Sequence, residues 1–92
     1  MATNTCVSVI TYQSRDDSLI APFCQMREDF ANYMHSQGKT EAMPNYFNSE
    51  SDPAVSYRSW VDHAAAQEFL DFVIEAAPIY HITLVSTGIQ DL

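Results

Sequence analysis

Residues 54–74 have the sequence AVSYRSWVDHAAAQEFLDFVI, in which a strand pattern changes into a helix pattern within a few residues. Val and Tyr alternate with Ser and Arg over 54–60, which predicts a strand. Asp62 is the expected N-cap of the following helix, with Ser59 as the alternative, and Pro78 is expected to end it. The apolar stripe of this helix comprises Ala65, Phe69, Phe72, Val73 and Ala76, widened by Leu70 and Ile74.

The first half of the chain predicts one strand followed by one helix. The run 5–12 is rich in β-branched residues and contains no Gly or Pro, which predicts a strand. The helix is expected to begin no earlier than about Ser18, because Pro22 is tolerated only near the first turn, and to end at Gly38. Its apolar stripe comprises Leu19, Phe23, Met26, Phe30 and Tyr33, and its opposite polar face Arg27, Glu28, Asn32 and Ser36.

Two further strands complete the predicted order of elements. A weaker strand over 41–48 contains Pro44, which cannot donate a ladder hydrogen bond, so we expect an edge strand or a bulged one. A dense turn signal follows over 48–53. The last strand is expected over 81–86, with a short tail over 88–92.

The order β-α-β-β-α-β predicts an α+β fold of the ferredoxin-like class, as a single domain of residues 1–92. Right-handed crossovers then give a four-stranded antiparallel sheet with both helices on one face.

The charge balance of the chain excludes several kinds of partner. Twelve acidic residues against four basic ones give a formal net charge of -8, and the cations form no stripe, so we expect neither nucleic acid nor an anionic membrane surface as a partner. No apolar run approaches the roughly 20 residues that span a bilayer. Since the N-terminus shows no secretory signal, we expect a cytoplasmic protein in which Cys6 and Cys24 are reduced, small and buried.

Both faces of the predicted sheet carry apolar side chains, although two helices cover only one face. The first strand has Val7 and Val9 on one side and Ile10 and Tyr12 on the other. Of the 92 residues, 47% are hydrophobic, which is high for a small domain that must be coated by water. We therefore expect a homodimer that packs sheet against sheet, the alternative being a monomer with an unusually apolar face.

The order of elements, together with the run from Ser59 to Ala66 that leads into Phe69, resembles the dimeric α/β-barrel superfamily, in its antibiotic-biosynthesis-monooxygenase-like branch. The resemblance implies a homodimer whose two sheets enclose a barrel, with a pocket inside it or between sheet and helices. Members include cofactor-free oxygenases, lactone-forming isomerases and haem-degrading enzymes, so the superfamily does not determine one function.

Haem degradation is not expected from the residues at the corresponding positions. The strand-one Asn of that branch would have to be Asn4, which comes too early in the chain. The middle of the second helix, where the haem-ligating His belongs, has Phe69, Leu70 and Asp71. No His pair prepares a metal site, because the three His residues lie on separate elements. We therefore expect neither a metal nor a cofactor.

Arg58 is the most informative candidate for ligand binding. A guanidinium in an apolar strand needs a partner, which is either the carboxylate or enolate of a ligand or an acidic residue in a cross-strand or intersubunit pair. Trp60 shares its face and would form an aromatic wall beside it. Tyr12 and Tyr57 add phenols that could donate to a ligand oxygen. His81 is the candidate general base, the alternative being a structural His.

These features predict a homodimer that binds a small, partly aromatic organic ligand. Its activity, if it is an enzyme, would be that of a cofactor-independent monooxygenase or isomerase acting on an enolisable compound, as the resemblance implies. The alternative is a non-catalytic dimerisation or regulatory module. A ligand-sized cavity that contains Arg58 would favour the first hypothesis, and a filled interior would favour the second.

Overall fold

The computed structural model describes residues 4–41 and 53–92, and the backbone of Tyr46–Asn48. Short 3₁₀ turns at Asp17–Leu19 and Ala77–Tyr80 flank the helices. The regular elements, in chain order, are β1 (Cys6–Ser14), α1 (Ile20–Ser36), β2 (Tyr46–Asn48), β3 (Ala54–Trp60), α2 (His63–Ala76) and β4 (Ile82–Asp91).

All strand pairs are antiparallel, in the order β2-β3-β1-β4. The central strand β1 pairs with β3, so that Cys6 lies opposite Trp60. It pairs with β4 on its other side, so that Ser14 lies opposite Ile82. A register shift after Thr11 places a bulge in the β1–β4 ladder.

The prediction of a complete four-stranded ferredoxin-like sheet is wrong. The fold is a small α+β arrangement in which the three long antiparallel strands β1, β3 and β4 and the two helices follow the order β-α-β-α-β, and the three-residue β2 pairs with the outer edge of β3. Of the expected second strand over 41–48, the structure describes Tyr46–Asn48 as strand β2. Glu41 lies outside it, because its backbone N–H donates to the side chain of Asn4 at 2.8 Å. Pro44 and residues 49–52 of the predicted turn lie outside the described residues.

Local side-chain chemistry determines where the helices begin and end. Asp62 is confirmed as the N-cap of α2, since its carboxylate accepts a hydrogen bond from the backbone N–H of Ala65 at 2.8 Å. The chain leaves α1 through Gly38, whose φ of 76° lies in the left-handed region that glycine adopts without strain. The strand over 54–60 is also confirmed. The last strand is longer than predicted, since Gly88 lies inside β4 rather than in a tail.

The core lies between the helices and one face of the sheet. On β1 this face bears four buried residues, Cys6, Ser8, Ile10 and Tyr12. The opposite face, here called the open face, bears the partly exposed Val7, Val9 and Thr11. The alternation predicted from the sequence is therefore present in β1.

Helix α1 is rotated relative to the predicted stripe. Its buried residues are Phe23, Arg27, Ala31 and Met34. Arg27, expected on the polar face, is only 6% exposed, whereas Tyr33, expected in the stripe, is 55% exposed. The rotation follows from two neighbours, because α1 must cover the sheet with one side and contact α2 with another. Phe30 of α1 stacks on Phe72 of α2 with ring centroids 3.9 Å apart.

Candidate functional site

Three of the predicted ligand-binding residues lie on the helix-facing side of the sheet, but they are not all neighbours. Arg58 and Trp60 lie two residues apart on β3. Tyr12 is opposite the other end of β3, six residues along β1 from the position paired with Trp60. At about 3.4 Å per residue, this separates Tyr12 from Trp60 by roughly 20 Å along the sheet.

Arg58 is paired with an acidic residue of the protein itself. Its Nη2 donates to Glu28 Oε2 of helix α1 at 2.7 Å, and the ring centroid of Phe69 lies 5.8 Å from its Cζ. The Arg58 side chain is 5% exposed and that of Glu28 29%. The ion pair therefore joins helix α1 to the sheet. The partner is an acidic residue of the protein, as the alternative for Arg58 expected, but it lies on a helix of the same chain rather than across the sheet or in a second subunit.

The Trp60 side chain lies in the core, where it contacts Ser8 and Phe69. Its indole Nε1 donates to Ser8 Oγ at 2.9 Å, and that hydroxyl donates to the carbonyl of Arg58 at 3.2 Å. The ring centroid of Phe69 lies 4.8 Å from that of Trp60. Trp60 is fully buried, so the position expected to form one wall of a pocket is filled by the protein's own side chains.

Tyr57 and His81 lie apart from this group. Tyr57 is opposite Val9 on the open face and is 36% exposed. His81 precedes β4 with a φ of 56°, is exposed, and lines a small cleft of about 260 Å³ together with Arg15. Because Ile82 pairs with Ser14 at the far end of β1, roughly 27 Å of sheet lies between His81 and Trp60. The structure therefore does not bring the predicted base and the predicted ligand-binding residues together.

Sequence reasoning missed a second arginine in the interior, Arg27 of α1. Its Nη1 donates to Ser56 Oγ at 2.7 Å, and its Nη2 lies 3.0 Å from Cys24 Sγ and 3.4 Å from Tyr12 OH. The Nε atom of Arg27 is buried without a hydrogen-bond partner. Among the described residues this guanidinium has neutral partners and no carboxylate, which makes it costly to bury.

A signal for Arg27 was present in the spacing of the helix. Arg27 is four residues after Phe23 and four before Ala31, so the three share one helix face. The polar Ser56, at an inward position of β3, supplies the matching acceptor. Reading the stripe through Phe23 and Ala31, rather than through Phe23 and Met26, would have placed Arg27 inside.

The two cysteines occupy different environments. Cys6 is fully buried in the core, and burial raises the pKa of its thiol, an effect that a hydrogen bond with Thr5 partly offsets. Cys24 is partly exposed, and its Sγ lies 3.6 Å from Tyr12 OH. Both are free thiols.

An aromatic cleft between the two helices was not predicted as a site. It has a volume of about 570 Å³, and we call it the interhelix cleft. Helix α1 supplies most of its lining, α2 supplies Phe72, and the 3₁₀ turn after α2 supplies Tyr80. The α1 residues that line it are Pro22, Gln25, Met26, Asp29, Phe30 and Tyr33.

The described part of the chain contains no cluster of metal-ligating side chains. Over residues 4–41 and 53–92, no three His, Cys, Asp or Glu side chains converge on a common point. The helix position where a haem ligand would be expected is occupied by Phe69, which is 1% exposed and packed in the core. His35 is exposed, and the exposed His63 contacts Asp91.

Comparison with known proteins identifies no relative: no family model, no curated protein and no solved structure matches the chain. Within the described residues, neither helix is long and apolar enough to cross a membrane.

Proposed function

We propose that this chain is a homodimerising module that packs the open face of its sheet against the same face of a second copy. The observation that carries the proposal is the absence of charge from this face, as far as the described strands define it. Residues directly opposite in an antiparallel pair lie on the same face, so the strand registers define its members. They are Val7, Val9, Thr11, Gln13, Val55, Tyr57, Ser59, Thr83, Ser86, Gly88 and Gln90.

An uncharged face matters because the chain carries a net charge of -8. Two copies that met through their acidic helix surfaces would repel one another, whereas two open faces can approach without burying an unpaired charge. Val7, Val9 and Val55 then lose their remaining contact with water. A carboxylate lies beside this face, where Glu41 accepts a hydrogen bond from the backbone N–H of Asn4, whose side chain donates to Ser59.

The size of the open face predicts a dimer of moderate affinity. Nine residues of β1 at about 3.4 Å each, and three long strands about 4.8 Å apart, give a plane of roughly 440 Å². This plane is about half of the roughly 800 Å² per partner of a standard interface, so the dimer interface would be a small one. We expect dissociation in the micromolar range.

The environments of Arg58 and Trp60 support a dimerisation module better than they support an enzyme with its substrate site at these residues. Arg58 already has Glu28 as its partner, and Trp60 is enclosed by the core. The cofactor-independent oxygenase or isomerase activity that the resemblance implies stays a prediction. It would need a substrate site other than the one first expected at Arg58.

The test is to place one charge on the open face and an equal charge elsewhere. Val9→Glu adds a carboxylate at the middle of the face, and Asn32→Glu adds the same charge at an exposed position of α1. Analytical ultracentrifugation should show that Val9→Glu is monomeric and that Asn32→Glu retains the dimer. Circular dichroism verifies that both variants are folded. A Val9→Glu variant that associates as strongly as Asn32→Glu would overturn the proposal.

A further inference from the structure

A second surface of this protein has a defined chemistry of its own. The described residues that line the interhelix cleft belong to α1, α2 and the turn after α2, and none of them belongs to the sheet. The cleft is an open groove of about 570 Å³ on the helix surface. It is therefore separate from the open face.

Aromatic rings form one wall of the cleft. Phe30 lies between Phe72 and Tyr33, with ring centroids 3.9 Å and 6.0 Å away respectively. Tyr33 is 55% exposed, so part of its ring remains accessible to a ligand. The face of an aromatic ring carries negative electrostatic potential, which attracts a cation placed over it.

A carboxylate lies on the same cleft. The Oδ1 atom of Asp29 accepts a hydrogen bond from Gln25 Nε2 at 2.9 Å, which restrains the acidic side chain next to the rings. None of the described residues that line the cleft is Lys, Arg or His. The surrounding chain carries a net charge of -8, so its long-range field also favours a cation.

From these observations we infer that the interhelix cleft binds an organic cation: an amine or quaternary ammonium group that bears an apolar or aromatic substituent. The cationic group lies over the exposed part of the Tyr33 ring and near the Asp29 carboxylate. The apolar substituent packs against Met26 and Phe72. Charge complementarity selects this class over organic anions, for which the cleft offers no cationic partner.

Three small probes of similar size test the class of ligand: benzyltrimethylammonium, the neutral benzyl alcohol, and the anionic phenylacetate. Titration followed by two-dimensional amide NMR should show shift changes that centre on α1 and α2 for the cation. We expect benzyl alcohol to bind at least about 10-fold more weakly and phenylacetate not to bind. Equal binding of all three probes, or shift changes elsewhere, would overturn the inference.

Two substitutions and a matched control test the site itself. Asp29→Asn should weaken binding of the cation by about 3-fold, as for an exposed ion pair, and Tyr33→Leu by about 3–5-fold. The control is Asp71→Asn on α2, because Asp71 accepts an equivalent hydrogen bond from Gln67 at 2.8 Å but does not line the cleft. If both Asp→Asn changes weaken cation binding equally, the cation is attracted only by the overall negative charge of the chain. That result would overturn the proposal that it binds in the interhelix cleft.

Cation binding to the interhelix cleft should not depend on whether the chain dimerises through its sheet. Because the cleft contains no sheet residue, the Val9→Glu variant should bind benzyltrimethylammonium with the affinity of the unmodified chain. Loss of cation binding in that variant alone would contradict the separation of the two surfaces.

Discussion

The ion pair between the buried Arg58 and the partly exposed Glu28 should contribute measurably to the stability of the fold. Glu28→Gln keeps an oxygen that can accept the hydrogen bond but removes the charge opposite a guanidinium that is 5% exposed. Hydrogen bonds to charged groups contribute about 1.5–3 kcal/mol and neutral ones about 0.5–1.5. Removing one partner of a fully buried pair costs about 3–5 kcal/mol.

The partial exposure of Glu28, at 29%, lowers the expected cost below that of a fully buried pair. We expect Glu28→Gln to lower the free energy of unfolding by about 2 kcal/mol. For a domain of this size, that corresponds to a fall in Tm of roughly 8–16 °C. The variant should remain folded at room temperature with its strand and helix content unchanged.

Urea unfolding followed by tryptophan fluorescence measures this change, because Trp60 is the only tryptophan of the chain and is fully buried. The matched control is Asp29→Asn, which removes a carboxylate from the next position of α1. The Asp29 carboxylate is exposed and accepts its hydrogen bond from Gln25, so the control should change stability by less than about 0.5 kcal/mol. Both variants must be compared at one protein concentration.

A double-mutant cycle with Arg58→Met isolates the pair. The two single changes should be non-additive, with the double variant less destabilised than the sum of the single variants. If Glu28→Gln and Asp29→Asn have the same stability, or if the cycle is additive, the pair does not fix α1 to the sheet and the reasoning fails.

Two further substitutions, a labelling experiment and a pH dependence have outcomes that local contacts and burial determine. Ser8→Ala should lower stability by about 1–3 kcal/mol, since it leaves the buried indole N–H of Trp60 without its acceptor; urea unfolding measures this, and a loss below about 0.5 kcal/mol would contradict it. Asp62→Ala should cost about 1 kcal/mol by removing the cap of α2, measured in the same way. A thiol reagent should modify the partly exposed Cys24 in the folded chain but Cys6 only after unfolding. Burial raises the pKa of Cys6, so at a pH in the usual thiol range the folded chain keeps a proton that the unfolded chain loses. The contribution of Cys6 to the free energy of unfolding should therefore decrease as pH rises through that range.

Signals that act within a few residues were sufficient to predict several parts of this fold. The alternation over 54–60 gave the limits of β3, and the hydroxyl and carboxylate chemistry around Asp62 gave the start of α2. Gly38 marked the end of α1 because its left-handed conformation is a local property of the residue. Each of these features depends on backbone and side-chain preferences that neighbouring elements do not override.

The parts that were predicted wrongly depend on distant contacts. The described part of β2 has three residues, and Glu41, expected in that strand, donates its backbone N–H to Asn4, just before β1. β4 extends through Gly88 because β1 supplies a long ladder on which it can pair. The rotation of α1, which buries Arg27, depends on the acceptor Ser56 across the core. None of these partners lies nearby in the sequence.

The candidate site shows the same division. The sequence identified Arg58 and Trp60 as unusual, and both are buried side by side on β3. It could not show that Glu28, thirty residues earlier, would form an ion pair with the Arg58 guanidinium. The interhelix cleft was missed because its rings come from separate helices and belong to patterns that ordinarily indicate a core.

The proposed dimer through the open face is tested most directly by the mass of the unmodified chain in solution. Sedimentation equilibrium over a micromolar concentration series should give a mass that rises to twice the 10.4 kDa of one chain. A mass that stays at 10.4 kDa throughout the series would contradict the proposal that the open face binds a second copy.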